Sequence, residues 1–173
     1  PEADIASEPR WGRVMETFGE DPDLVTKMVT AQVVAFQNGR DGLNTGAIVA
    51  CMKHFPGAGP QMEGKDTSPI ISSAETLQIH LKPYYAALEV NIASIMPYYS
   101  VPLELDMENS AIGSKATLQD LLRDEMGFEG IIQTDWGMIW AIQEGRGTMM
   151  GEEVSDEEAI LIGITESRGD GIG

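Results

Sequence analysis

Short apolar runs alternate with amphipathic segments along most of the chain, and that alternation constrains the fold more than any other feature. "AIVACMKHF" (47–55), "IASIMPYY" (92–99) and "EGIIQTDW" (129–136) are short, β-branched and apolar, the pattern of strands buried in a parallel sheet. Between them lie helical segments. "EDPDLVTKMVTAQVVAFQN" (20–38) has Asp21 to cap it and Pro22 for its first turn, with Leu24, Met28, Ala31, Val34 and Ala35 at helical spacing. The stretch 73–90 has Ser73 as cap and Glu75 near its start, and Pro83 is expected to kink or interrupt it. In 115–128, Leu118, Leu121, Leu122 and Met126 share a face, and Gly127 ends the helix. Two short helices are expected over 137–145 and 155–164, the second capped by Ser155 or Asp156. Strands alternating with helices imply βα units and a parallel sheet, in a barrel or a doubly wound fold.

The 173 residues suffice for one domain with a core. The net charge of −17 argues against nucleic acid or an anionic membrane as partner, since both require clustered Lys and Arg. No apolar run approaches the roughly 18 residues of a membrane span. The single cysteine, Cys51, rules out a disulfide within the chain. The chain opens on Pro1 as if in mid-fold and reads as a piece of a longer protein. Its compartment, secreted, periplasmic or cytoplasmic, therefore stays open.

Each strand ends in residues that a core would not tolerate: Lys53 and His54, then Tyr98 and Tyr99, then Asp135 and Trp136. In parallel α/β folds the C-terminal strand ends line one face, where ligands bind. A carboxylate there can act as nucleophile or base. Lys and His can hydrogen-bond vicinal hydroxyls, and a Trp can carry the C–H face of a sugar ring. A phosphate site is disfavoured, because "HFPGAGP" lacks a Gly-Lys-Ser/Thr ending. A metal site is disfavoured because the only histidines are His54 and His80, and His80 falls mid-helix in a packing or surface position. No Gly-x-Ser-x-Gly signal supports a serine nucleophile.

These residues belong to longer stretches. "EPRWGRVMETFGEDPDLV" (8–25), "KHFPGAG" (53–59), "IMPYYS" (95–100) and "TDWG" (134–137) together resemble glycoside hydrolase family 3, the β-glucosidase-like exo-glycosidases. The resemblance implies a (β/α)8 TIM-like barrel of which residues 1–173 are a single domain, the middle and later part. The first strands and a second domain would then lie outside the chain. It implies that Asp135 is the nucleophile and forms a glycosyl-enzyme intermediate. Arg13, Lys53 and His54 would hold sugar hydroxyls, with Tyr99 close to the nucleophile and Trp136 on the leaving-group side. It implies a β-glucoside or β-xyloside, small or oligosaccharidic, as substrate and no cofactor or metal.

The residues set limits on that picture. Arg13 can also pair with Glu16 or Glu20, Arg10 reads as structural, and Glu63, Lys65 and Asp66 sit in a loop within reach of substrate. Met138 and Trp140 read as packing residues. Most of the family draws its acid/base Glu from a second domain. The β-N-acetylglucosaminidase branch uses an Asp-Ser-His instead, but the corresponding place here reads Ile70-Ile71-Ser72. Two readings follow: a retaining exo-β-glycosidase whose acid/base comes from segments outside the chain, or a non-catalytic sugar-binding or assembly-dependent piece. An incomplete barrel would also expose sheet edges.

Overall fold

The computed structural model describes residues 1–107, 109–137, 155, 157, 158, 160 and 161. Three βα-type layers follow one another: α1 (Pro22–Phe36), β1 (Cys51–Phe55), α2 (Ala74–Leu88), β2 (Ser94–Pro97), α3 (Ala116–Glu125) and β3 (Ile131–Ile132). The third helix is π-wound, and Leu121 accepts from the N–H of Met126 five residues on. Short 3-10 turns at Val14–Glu16, Met62–Gly64 and Ala111–Gly113 shape the connections. The strands form a parallel sheet in the order β1-β2-β3, which bears out the α/β reading. Met52 pairs with Ile95, and Ile95 in turn with Ile132. The segment at Glu2 runs parallel to β1: Ala3 donates to the Lys53 carbonyl at 2.7 Å, and Lys53 donates to that of Pro1 at 3.0 Å.

Local signals placed the helix starts. Asp21 accepts from the N–H of Asp23 at 2.8 Å and of Leu24 at 3.3 Å, and Pro22 opens α1. Ser73 forms a reciprocal capping box with Thr76. Ser155 accepts from the N–H of Glu158 at 3.2 Å, the cap expected there; the rest of the two late helices, with Met138 and Trp140, lies outside the described residues.

Three expectations need correction. The buried stripe of α1 is Val25, Val29 and Val33, while Leu24 and Met28 are 46% and 41% exposed. One residue along a helix turns a side chain by about 100°, and packing against α2 selects the valine stripe over its equally apolar neighbour. Pro83 does not interrupt α2, which runs through it with the ring buried. Packing of Leu77, Leu81, Tyr84 and Ala87 on the same helix outweighs the one hydrogen bond that proline removes. The strands are also shorter than their apolar runs. Asp135 follows β3 rather than ending it, because ladder pairing stops where Gln133 donates to the Ile95 carbonyl at 2.9 Å.

The core lies between the sheet and its helices. Met52, Phe55, Ile95, Leu81, Tyr84, Leu118 and Leu122 are buried there, with Phe55 edge-on to Tyr84 at 5.1 Å. The loop after β1 is pressed onto this layer. A Cβ on Gly59 would overlap the Ile5 carbonyl oxygen, so only glycine fits. The same loop covers His80, which is buried with no partner for Nδ1 among the described residues. The packing role expected for His80 is thus the one observed.

Candidate active site

The fold carries the candidate residues to one rim. His54, at the end of β1, is the centre, only 1% exposed. Its Nδ1 lies 2.8 Å from Oδ2 of Asp4, and its Nε2 lies 3.8 Å from Oδ2 of Asp135 and 3.4 Å from Nη2 of Arg13. The Tyr98 ring packs 4.6 Å from the imidazole. Asp135 reaches this point from beyond β3, with its side chain 20% exposed, which leaves a face open to a ligand. Tyr99, from just beyond β2, donates its hydroxyl to the Trp136 carbonyl and accepts from the Trp136 N–H at 3.4 Å. Burial, then the charge of nearby Asp135, pushes the Tyr99 hydroxyl up to about 12, so it stays a neutral donor. Trp136 itself is 90% exposed, its indole in solvent beside the rim.

Two cations flank the centre, and one carboxylate serves both. Glu16 accepts from Nε and Nη2 of Arg13 at 2.8 Å each, and lies 3.8 Å from Lys53 Nζ. Lys53 also lies 3.4 Å from Glu2. The expected Arg13–Glu16 pair is therefore present, and Arg13 still reaches His54. Arg10 pairs with Glu8 at 2.8 Å, the structural role expected of it.

The site also contains residues that sequence reasoning missed. Asp4 and Glu2 come from the first segment, where nothing local distinguishes them from other acids in a very acidic chain. Asp4 is fully buried and also accepts from the Ala58 N–H at 2.5 Å, which fixes the loop after β1. Asp66, weighed as a substrate contact, brackets two rings. Its Oδ1 accepts from Trp11 Nε1 at 2.7 Å and from the Tyr98 hydroxyl at 2.6 Å, locking the wall behind His54.

Charges in the cluster are strongly coupled. Burial, together with the adjacent Glu2, pushes the Asp4 carboxyl up to about 7. At Glu2, burial is outweighed by the pull of Asp4 and His54, which bring it down to about 2. Atoms of Glu2, Asp4 and His54 lie within 4.8 Å of one another. They are engaged with each other and with Lys53, so the set reads as an ion-pair cluster rather than a metal centre.

The site is thus an accessible carboxylate with a buried imidazole at one side, a guanidinium and an ammonium nearby, a phenol held neutral, and an exposed indole. It offers a carboxylate and several directional hydrogen-bond donors.

The sequence profile of the glycosyl hydrolase family 3 N terminal domain matches residues 1–159, and the chain belongs to that family. The periplasmic β-glucosidase/β-xylosidase of Dickeya chrysanthemi is 39% identical over 147 residues, covering 79% of this chain and 22% of that protein. Among solved structures, a β-glucosidase from Erythrobacter marinus superposes with a TM-score of 0.82 at 32% identity, over 96% of this chain and 21% of that one. The glucose complex of a Listeria innocua β-glucosidase superposes with a TM-score of 0.78 at 30% identity, over 96% of this chain and 22% of that one. The chain spans about a fifth of the length of the curated relatives it matches. The parallel βα layers are accordingly part of a TIM-like barrel.

Proposed function

We propose that the protein is a retaining, exo-acting β-glycosidase that removes terminal non-reducing β-D-glucosyl or β-D-xylosyl residues. The observation that carries this reading is the convergence of Asp135, from beyond β3, on His54 at the end of β1, with Arg13 against the same imidazole. Relatives named β-glucosidase and β-glucosidase/β-xylosidase, and one bound to glucose, support the substrate class.

In the first step an Asp135 oxygen attacks the anomeric carbon. The glycosidic C–O bond breaks with its electron pair, and the leaving oxygen takes a proton from a general acid. In the second step water attacks the same carbon, loses a proton to the same group acting as base, and frees Asp135. Retaining enzymes place that acid/base about 5–5.5 Å from the nucleophile. The side chains that stand against Asp135 here, His54 and Tyr99, are hydrogen-bond donors to sugar and nucleophile in this scheme; the acid/base belongs to a segment outside the described residues. Arg13, Lys53 and His54 bind hydroxyls, and that binding energy offsets distortion of the ring toward an oxocarbenium-like transition state. Trp136 forms an apolar wall on the leaving-group side.

The test uses an aryl β-glucoside, whose leaving group needs little protonation. The wild-type protein should hydrolyse it and Asp135→Ala should not. Equal rates for the two would remove Asp135 from the mechanism. If neither turns over but glucose binds, the protein binds sugar without hydrolysing it.

A further inference from the structure

Among the described residues, three carboxylates surround one imidazole. Asp4 stands 2.8 Å from Nδ1 of His54, Glu2 stands 3.5 Å from the same nitrogen, and Asp135 stands 3.8 Å from Nε2. One carboxylate at Nδ1 is enough to orient a ring and fix its tautomer. A second one adds nothing to orientation. It adds negative charge, and among the described residues neither Glu2 oxygen has a regular hydrogen bond to offset its burial. Lys53, at 3.4 Å and shared with Glu16, offsets part of that charge. The rest is met by protons, on the ring and on the Asp4 carboxyl, which burial and Glu2 push up to about 7.

We propose that Glu2 is a positioning residue: with Asp4 it holds His54 protonated on both nitrogens, so that Nε2 meets Asp135 and an incoming sugar hydroxyl as a charged N–H donor. The sugar rests on the glycosidase reading above; the state of the ring does not. A charged donor holds a hydroxyl or a carboxylate more strongly than a neutral one.

The other groups that face the ring fit this arrangement. Arg13 Nη2, at 3.4 Å from Nε2, opposes a second proton, but its charge is taken up by two 2.8 Å bonds to Glu16. Tyr98 presents a neutral ring at 4.6 Å, and its hydroxyl is committed to Asp66. Burial of the imidazole also works against the charge; Asp4 and Glu2 outweigh it and lift His54 to about 9. The competing arrangement is a neutral ring that donates from Nδ1 to Asp4 and accepts from Arg13 at a bare Nε2.

Long-range proton–nitrogen NMR on the full chain with labelled histidine distinguishes the two, with the His54 signal assigned by its loss in His54→Gln. The expected result at pH 7.5 is two protonated ring nitrogens. In Glu2→Gln the titration midpoint should fall by at least one pH unit, a tenfold change in proton affinity. Glu2→Asp should restore part of that shift, which a merely structural role would not do. Asp4 also holds the Ala58 N–H, so Glu2→Gln, which leaves the backbone bonds of Ala3 and Lys53 in place, is the deciding variant. A single neutral tautomer in the wild type, or a midpoint unmoved in Glu2→Gln, would overturn the proposal. A protein that hydrolyses no glycoside yet shows the doubly protonated ring keeps this inference and loses the glycosidase reading.

Discussion

Nε2 of His54 lies 3.8 Å from Oδ2 of Asp135, although His54 lies on β1 and Asp135 comes from beyond β3. That approach depends on Asp4 behind the imidazole and Tyr98 beside it. His54→Gln keeps a donor of similar reach but loses the Asp4 bond. A hydrogen bond to a charged group contributes about 1.5–3 kcal/mol, so kcat/KM on an aryl β-glucoside should fall by roughly 10- to 100-fold. Steady-state kinetics checks this, and an unchanged kcat/KM would place His54 outside the substrate site.

Glu16 should act through KM. It holds Arg13 by two 2.8 Å bonds, whereas Lys53, 3.8 Å away, is also held by Glu2 at 3.4 Å, so Arg13 is the cation that depends on it. Glu16→Ala frees the Arg13 side chain, whose ordering on binding costs about 0.5–1.5 kcal/mol. The expected result is a KM raised by about two- to tenfold with kcat less affected. Arg13→Lys should resemble it, since an ammonium cannot reproduce the two-bonded fork. A loss confined to kcat would contradict the assignment.

Asp66 should matter to stability. Asp66→Ala leaves the Trp11 N–H and the Tyr98 hydroxyl without their acceptor, and both rings are buried. Each unmet donor costs about 1–3 kcal/mol, so a loss of about 2–4 kcal/mol is expected in denaturant unfolding. Asp66→Asn keeps one carbonyl acceptor and should cost less. If the alanine variant is as stable as the wild type, the bracket does not hold this wall.

His80 should make the fold acid-sensitive. Burial pushes it down to about 4 from the ordinary 6.5. Between those values the unfolded chain takes up a proton that the native state refuses. Stability is therefore unaffected by His80 above about pH 6.5 and falls as the pH drops toward 4, by about 3 kcal/mol in all. Unfolding free energies over this range should show a flatter slope in His80→Gln than in the wild type. Parallel slopes would remove His80 as the cause.

What could be read in the sequence was local or modular. Asp21, Pro22 and Ser73 act on their own helix termini, so their roles show in neighbouring residues. Lys53, His54, Tyr99 and Asp135 could be placed on one rim because parallel strands bring their C-terminal ends to one face. What escaped was decided by contact between distant segments. Two apolar stripes compete on α1, and only the partner helix selects Val25, Val29 and Val33. Asp4 and Glu2 reach His54 through pairing of the first residues with β1, and Asp66 reaches Trp11 and Tyr98 through the fold of a glycine-rich loop. None of these partners can be inferred from spacing.

As a retaining glycosidase, the protein would form its bond to the sugar through Asp135. An activated fluoroglycoside that stalls the glycosyl-enzyme, followed by peptide mass spectrometry, tests it on the protein directly. One sugar adduct per chain is expected, on Asp135, and none in Asp135→Ala. An adduct on another residue, or hydrolysis of the aryl glycoside with no trappable adduct, would contradict it.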